Sequence, residues 1–138
     1  MNDRYLYRAK RIDNGEWVEG YYAIARDFRG IEQHNILIAD NSLGYFKWIV
    51  VDPSTICQYT QSGRCTLDEN KIWENDIVAC GKYRGVVKFG LYNSKHLGFY
   101  IEWIKGYEYL KKDFSYWIPK IKVIGNIFDS PELLERGE

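Results

Sequence analysis

The dipeptide Asn14-Gly15 is the feature of this sequence that most constrains the fold. It lies between two aromatic-rich runs, residues 4–12 and 17–24. Asn and Gly both tolerate a positive φ, and a two-residue hairpin turn needs that conformation at its central positions. The sequence therefore predicts a β-hairpin over residues 4–24.

A second hairpin is predicted from two further apolar runs, residues 35–39 and 45–51, which flank a loop rich in turn-forming residues at 40–44. The polar segment 26–30 between the two hairpins is expected to be exposed. After the second hairpin, residues 52–54 (Asp-Pro-Ser) predict a turn that opens a short helical segment, because proline pre-sets φ.

Composition favours strands over helices. Branched and aromatic residues (Ile, Val, Thr, Tyr, Phe and Trp) number 48 of 138, whereas Ala, Leu and Met together number 15. The first group suits the pleated, half-buried surface of a sheet, and Ala-poor chains form few helices. We therefore expect a mainly β protein.

Four short runs bounded by glycine predict a second β unit in the later part of the chain. They cover residues 76–81, 85–90, 98–104 and 120–127. Such spacing is typical of a small barrel or a tightly coiled sheet. The predicted fold is an N-terminal antiparallel hairpin unit, about 1–59, packed on a C-terminal SH3-like barrel within 70–138. The length of 138 residues fits a single domain, 1–138, containing both subunits.

Three segments around the predicted barrel have weaker patterns. Residues 60–69 show no periodicity and are predicted to form a loop between the two units. Residues 107–118 place aromatic side chains near helical spacing, but their aromatic density suits a strand equally well. Ser130-Pro131 offers a helix N-cap followed by proline at the first helical position, so a short C-terminal helix is expected.

Several stretches of the sequence carry a family resemblance. They are residues 56–60 (ICQYT), 67–78 (LDENKIWENDIV) and 123–134 (VIGNIFDSPELL), with 52–55 (DPST) before them. The first two resemble the QYTGL…D-x-N-G-K-x-I-[YF]-E-G-D-I-V signature of the YopX family, and the third resembles its closing VIGNIYENPELL. The segment 52–55 resembles the family's V-D-P-x-T. The resemblance spans residues 51–134.

The resemblance has two departures. Asn75 stands where the family has glycine before Asp-Ile-Val, and asparagine still tolerates a positive φ. The family's QYTGL becomes QYTQS here and is followed by an extra segment, 63–66. The family is carried mainly by phages and prophages, and its members are small β-rich proteins without an assigned activity. The resemblance therefore implies a fold and a biological setting, and it implies no catalytic residues.

Residues that could carry chemistry are few. The candidate bases near neutral pH are His34 and His96, each in a polar stretch beside a predicted turn. The three cysteines, Cys57, Cys65 and Cys80, form no C-x-x-C pair, so neither a disulfide nor a zinc site is expected. The sequence also lacks phosphate-cradle, nucleophile-elbow and metalloprotease motifs. We expect no enzyme activity, no cofactor and no metal ion.

Charge is distributed unevenly although the totals cancel. The chain has 19 Lys and Arg against 19 Asp and Glu, and residues 80–124 carry a net charge of +6 among many aromatic side chains. Basic residues interleaved with aromatics on a small barrel are typical of single-stranded nucleic-acid binders. The candidate nucleic-acid-binding residues are Lys82, Arg84, Lys88, Lys95, Trp103 and Tyr107. Strand alternation alone, with lysines outward and aromatics inward, produces the same pattern.

Two functional hypotheses follow. The preferred one is a non-catalytic protein-interaction or assembly module that contacts a protein partner or forms a homo-oligomer, since the aromatics exceed what one small core hides. The alternative is a nucleic-acid-binding accessory protein. The apolar runs are shorter than a membrane span and the first residues resemble no export signal. We therefore expect a cytoplasmic protein of a bacterial host cell, without membrane contact.

Overall fold

The computed structural model describes residues 3–40, 44–63 and 70–135. The chain divides into two compact units, residues 1–59 (unit 1) and 60–138 (unit 2). Each unit contains one antiparallel β-sheet, and the described residues contain one short α-helix. The prediction of a mainly β fold is confirmed.

The sheet of unit 1 has five strands in the order β4-β3-β2-β1-β5, all antiparallel to their neighbours. They are β1 Leu6–Lys10, β2 Trp17–Arg26, β3 Glu32–Asp40, β4 Tyr45–Val50 and β5 Cys57–Gln58. Both predicted hairpins are therefore confirmed. The turn of the first differs from the expected two-residue type, because the Arg11 N–H donates to the Glu16 carbonyl at 2.8 Å and residues 12–15 form the loop. Of Asn14 and Gly15, only Gly15 has a positive φ, 75°, while Asn14 Oδ1 accepts the Glu16 N–H at 2.9 Å. Part of the second hairpin loop, residues 41–43, lies outside the described residues.

The sheet of unit 1 curls onto itself. Directly after β4, the Val51 N–H donates to the His34 carbonyl at 2.9 Å, and Val51 pairs with Arg11 at the end of β1. Gly20 permits this curvature, because a Cβ there would collide with the Leu37 carbonyl oxygen. A small aliphatic core lies inside the curl, formed by Ala9, Ile36, Ile49 and Val51.

The predicted turn after β4 is a 3-10 helix at Pro53–Thr55. Asp52 caps it, since its side chain accepts the Ser54 N–H at 3.0 Å. The Thr55 hydroxyl accepts the Lys10 N–H at 2.8 Å and so fastens this turn to β1.

The sheet of unit 2 has four antiparallel strands in the order β8-β7-β6-β9. They are β6 Asp76–Cys80, β7 Tyr83–Tyr92, β8 His96–Trp103 and β9 Lys122–Asn126. Each corresponds to one of the four predicted runs. Residues 112–113 join the outer side of β8, where the Ile101 N–H donates to the Lys112 carbonyl at 2.9 Å. Strand β9, the last of the unit, pairs with β6, the first. This arrangement is consistent with the predicted SH3-like barrel.

The ambiguous segment 107–118 contains one helical turn, α1 Phe114–Trp117. A 3-10 helix at Ile118–Lys120 follows directly. The predicted C-terminal helix is also of the 3-10 type, at Pro131–Leu134. It lies over Gly125, where an added Cβ would meet Leu133 Cδ1 at 2.9 Å. Residues 64–69 of the predicted loop lie outside the described residues.

The core of unit 2 combines aliphatic side chains with two tryptophans and a phenylalanine. Its buried members are Ile72, Val78, Val87, Ile101, Trp103, Phe114, Trp117 and Ile121. The two indole rings pack edge to face at 4.8 Å between centroids. Both indole N–H groups donate to the Lys111 carbonyl at 2.8 Å, so burying two large polar-tipped rings leaves neither donor unsatisfied.

Candidate interaction surface

The strands β7 and β8 extend beyond β6 as a two-stranded ribbon, residues 88–100 (the ribbon). Strand β6 pairs with β7 only from Tyr83 to Val86, whereas β7 pairs with β8 as far as Tyr92 and His96. A tight turn joins the two strands, with φ 52° at Asn93 and 68° at the following residue. Among the described strands, β8 alone pairs with the ribbon portion of β7.

One face of the ribbon is apolar. Alternation and register place Phe89 opposite Phe99 and Leu91 opposite Leu97 on this face. Phe89 is 48%, Leu91 65% and Leu97 74% exposed. We call these four side chains the apolar ribbon face. Soluble proteins seldom gather large exposed apolar side chains in one place without an interaction that covers them.

The opposite face carries three neighbouring rings and a lysine. Tyr92 and Tyr100 stack at 5.0 Å between centroids, and the His96 ring lies 5.3 Å from Tyr92 at a tilt of 32°. Lys88 pairs directly with Tyr100 across the strands. We call these four residues the aromatic ribbon face. The rings meet because Gly90 and its cross-strand partner leave the middle of this face without side chains.

Asp113 anchors the aromatic ribbon face to the body of unit 2. Burial of the Tyr92 hydroxyl, followed by its hydrogen bond to the Asp113 carboxylate, raises the pKa of Tyr92. Asp113 itself pairs with Tyr100 at the outer side of β8. A negative charge therefore lies beside the rings.

The structure separates the basic residues predicted to bind nucleic acid. Lys82 and Lys95 are exposed in the turns at opposite ends of β7, about 30 Å apart at ~3.3 Å per residue. Arg84 donates to the Leu133 carbonyl at 3.0 Å and fastens the C-terminal 3-10 helix. Lys88 lies on the ribbon with its ammonium 3.4 Å from Asn75 Oδ1. Of these four residues, Lys88 and Lys95 are the two within the ribbon.

The two aromatic residues predicted to stack on bases lie on the other side of the sheet. Trp103 is 3% exposed and belongs to the core, so its ring faces are covered by protein. Tyr107 is half-buried, packs against that core and meets Tyr83 edge to face at 5.3 Å. The prediction failed to account for alternation, which places Trp103 on the face opposite Lys88.

Sequence reasoning missed the residues that do share a face with Lys88. Tyr92, His96 and Tyr100 have the same parity as Lys88 along β7 and β8, and residues i and i+2 line one face, but Tyr92 and His96 lie outside the predicted runs 85–90 and 98–104. The apolar ribbon face was harder to find. Its exposure depends on where β6 ends, and nothing in the local pattern of β7 reports that end.

The possible catalytic and metal-binding side chains have structural partners. His34 Nδ1 is hydrogen-bonded to the Tyr22 hydroxyl, and the two rings stack. Cys57 is buried and Cys80 half-buried, both as free thiols, while Cys65 lies outside the described residues. Across residues 3–40, 44–63 and 70–135, no three His, Cys, Asp or Glu side chains gather as a metal site would require.

A family comparison assigns the chain. The family model described as "YopX protein" matches residues 6–135, nearly the whole sequence. The chain belongs to the YopX protein family. No curated protein and no solved structure matches it. Within the described ranges, no helix is long and apolar enough to cross a membrane.

The residues that carry the YopX resemblance join two strands of unit 2. Asn75 has φ 71°, and the buried Asp76 accepts the Trp73 N–H at 2.8 Å, which closes the turn that opens β6. Asp76 pairs with Asn126, and the Ile127 N–H donates to the Asn75 carbonyl at 3.1 Å. In this YopX chain the two motifs therefore form one structural joint between β6 and β9.

Proposed function

We propose that this YopX-family chain is a non-catalytic protein-interaction or assembly module, encoded by a phage or prophage and working in the cytoplasm of the bacterial host. The apolar ribbon face is its contact surface. The observation that carries the proposal is the exposure of Phe89, Leu91 and Leu97 on one face of a projecting ribbon.

Leaving the apolar ribbon face in water costs free energy. Covering apolar surface is worth about 25 cal/mol per Å², and leucine and phenylalanine anchors on a rigid element lose little entropy on binding. The ribbon is held by a continuous β7–β8 ladder, so the face is preformed. A preformed, exposed apolar face favours a protein partner over solvent.

In-cell photo-crosslinking tests this proposal. A photoreactive phenylalanine analogue at position 97 should form covalent adducts with a polypeptide, either this chain or another. The same analogue at Ile12, an exposed apolar residue of unit 1, provides the matched control. Leu91→Glu in the position-97 protein should reduce the adducts at least about tenfold. Adducts no more abundant than those from position 12 would overturn the proposal.

Nucleic-acid binding is a second candidate, and the aromatic ribbon face favours it. Three rings in sequence beside Lys88, with Lys95 in the adjoining turn, combine stacking surface with positive charge. Single-stranded nucleic acids are bound in this way, with each stacked base contributing about 1–3 kcal/mol. The Asp113 carboxylate opposes this function, because it lies beside the same rings.

Fluorescence anisotropy with labelled single-stranded oligonucleotides, from about 20 to about 300 mM salt, tests the second candidate. Binding through the aromatic ribbon face should weaken with salt and be lost in a Lys88→Glu, Lys95→Glu double variant. The control is Lys82→Glu, which changes a lysine at the far end of β7. No binding at the lowest salt, or equal losses from both proteins, would reject this candidate.

A further inference from the structure

The β7 strand exposes one backbone edge along the ribbon. The Asn75 N–H donates to the Val87 carbonyl at 2.7 Å, which shows that Val87 directs its backbone groups towards the β6 side. Residues of the same parity, Phe89 and Leu91, point their N–H and C=O groups the same way. They lie beyond the last β6 pair at Val86, so no strand among the described residues pairs with this edge.

We propose that this edge pairs with the same edge of a second copy of the chain, antiparallel and about a two-fold axis at Gly90. The inference rests on the proposed function and names its partner. Phe89 then lies opposite Leu91 of the second copy, and Leu91 opposite Phe89 of the second copy. These two pairs form four backbone hydrogen bonds and join two four-stranded sheets into one.

The segment 88–92, Lys-Phe-Gly-Leu-Tyr, is self-complementary in this arrangement. A two-fold interface requires that one surface patch fit itself. On the apolar ribbon face, Phe89 and Leu91 meet their counterparts in the second copy. On the aromatic ribbon face, Lys88 meets Tyr92 of the second copy, whose hydroxyl is bonded to a carboxylate at Asp113. Positive charge therefore meets a ring and a negative charge, and like charges do not oppose each other.

The glycine at the axis suits close approach. Gly90 directs its backbone groups towards β8, so the two Gly90 residues form a non-hydrogen-bonded pair about 4.5 Å apart. This is the pair type in which side chains crowd most, and glycine has none. The paired segments are short and bury less than the ~1,200 Å² of a standard interface, so a dissociation constant in the micromolar range is expected.

Analytical ultracentrifugation of the full chain from about 5 to about 500 µM tests association. The 16.4 kDa chain should pass from monomer to dimer across this range. A monomer at every concentration overturns the inference. That result leaves the proposed function standing if position 97 still forms crosslinks to another polypeptide in cells.

Disulfide trapping tests the register. Phe89→Cys and Leu91→Cys proteins, mixed in equal amounts and oxidised, should form a heterodimer, because the paired Cα atoms lie about 5.5 Å apart. Each protein alone should form no more disulfide-linked dimer than the unsubstituted chain. The reason is that position 89 of one copy lies more than about 8 Å from position 89 of the other, beyond disulfide reach, and the same holds for position 91. Equal trapping in all mixtures would overturn the register.

A pair of proline variants separates the backbone edge from the apolar side chains. Leu91→Pro removes an N–H that points to the proposed interface, and Leu97→Pro removes one on the outer side of β8, as the outward-facing Ile101 N–H shows. Neither N–H belongs to the β7–β8 ladder, and both changes remove one exposed leucine. Leu91→Pro should raise the dimer dissociation constant at least about tenfold more than Leu97→Pro. Equal effects would reject strand pairing and leave an apolar contact only.

Discussion

The core clusters of the two units are built from different side chains. The cluster of unit 1 is aliphatic and consists of Ala9, Ile36, Ile49 and Val51, whereas that of unit 2 combines aliphatic residues with two tryptophans and a phenylalanine. Unit 1 buries Tyr59 but leaves other large rings in water, with Trp48 53% and Phe28 97% exposed. Aromatic rings therefore belong to the core cluster of unit 2 and, among the described residues, are absent from that of unit 1.

Sheet curvature accounts for this difference. In unit 1 the end of β4 meets the end of β1, and the curl is tight enough that Gly20 has no room for a Cβ. In unit 2, α1 lies against β8 and contributes Phe114 and Trp117 to the core. In unit 2 a helix covers the sheet and adds large rings to the core cluster, whereas the curl of unit 1 encloses an aliphatic cluster.

Tryptophan replacement in each unit should give the largest contrast. Trp103→Ala is expected to lower the free energy of unfolding by about 3–5 kcal/mol, because it opens a cavity and leaves the Lys111 carbonyl with one indole donor. Trp48→Ala should cost less than about 1 kcal/mol, since half of its side chain is already in water. Urea denaturation followed by circular dichroism measures both. Similar losses would show that the exposed aromatics of unit 1 also stabilise it.

Removing one turn carboxylate from each unit should give the next largest contrast. Asp76 is buried and accepts the Trp73 N–H, so Asp76→Ala should cost about 2–3 kcal/mol. Asp52 caps an exposed 3-10 helix, and Asp52→Ala should cost about 1 kcal/mol. Asp76→Asn, which keeps an acceptor oxygen, is the control in the same denaturation assay. A larger cost for Asp52→Ala would reverse the ranking of the two turns.

Replacing one left-handed turn residue in each unit should give a smaller contrast. Gly15 in unit 1 and Asn75 in unit 2 have φ 75° and 71°. Gly15→Ala and Asn75→Ala should each cost about 1–2 kcal/mol, while Asn75→Gly should cost less than about 0.5 kcal/mol. Thermal unfolding with calorimetric detection measures these differences. If Asn75→Gly matched Asn75→Ala, the amide contacts of Asn75 would outweigh its backbone conformation.

The dependence of stability on acid pH should give the smallest contrast between the two units. The ion pair with Arg29 lowers the pKa of Asp27 in unit 1, and backbone N–H groups, its own first, lower the pKa of Glu108 in unit 2. Each contribution is present above the unfolded-state pKa, about 4, and is lost as pH falls through the lowered folded-state pKa. Asp27→Asn and Glu108→Gln should both flatten the decline of stability below about pH 4.

Salt distinguishes the two carboxylates. The effect of Asp27→Asn should shrink at high ionic strength because that ion pair is exposed, whereas the effect of Glu108→Gln should change little. Urea midpoints measured from about pH 2 to about pH 7, at low and high salt, give both comparisons. Equal salt responses would contradict the different causes assigned to the two pKa values.

The elements of both sheets could be predicted from the sequence because their signals are local. Asn14-Gly15 specifies a hairpin turn, Asp52 precedes a proline, and glycines bound the four strands of unit 2. The curl of unit 1 could not be predicted, because the Arg11–Val51 pair joins residues forty positions apart. The type of the C-terminal helix was also beyond prediction, since a four-residue segment has too few periods to separate α from 3-10 geometry.

The sequence pointed to two residues of the ribbon, Lys88 and Lys95. The same count of charges over residues 80–124 also included Lys82 and Arg84, which lie at the other end of β7. Trp103 is a candidate by residue type because tryptophan can stack on a nucleic-acid base. Strand alternation nevertheless places Trp103 on the face of the sheet opposite Lys88. Which part of a long hairpin remains uncovered depends on the length of a neighbouring strand, and that is a property of the whole sheet.

The pairing of β6 with β9 has a consequence for how the chain folds during its synthesis. The paired residues Asp76 and Asn126 are fifty positions apart, whereas every pair in the curl of unit 1 is complete once residue 52 has left the ribosome. At about 5–20 residues per second, several seconds separate these two moments. We expect unit 1 to be folded while one edge of β6, a strand rich in apolar residues, still lacks its second partner strand, β9. The nascent chain is therefore most vulnerable to aggregation in that interval.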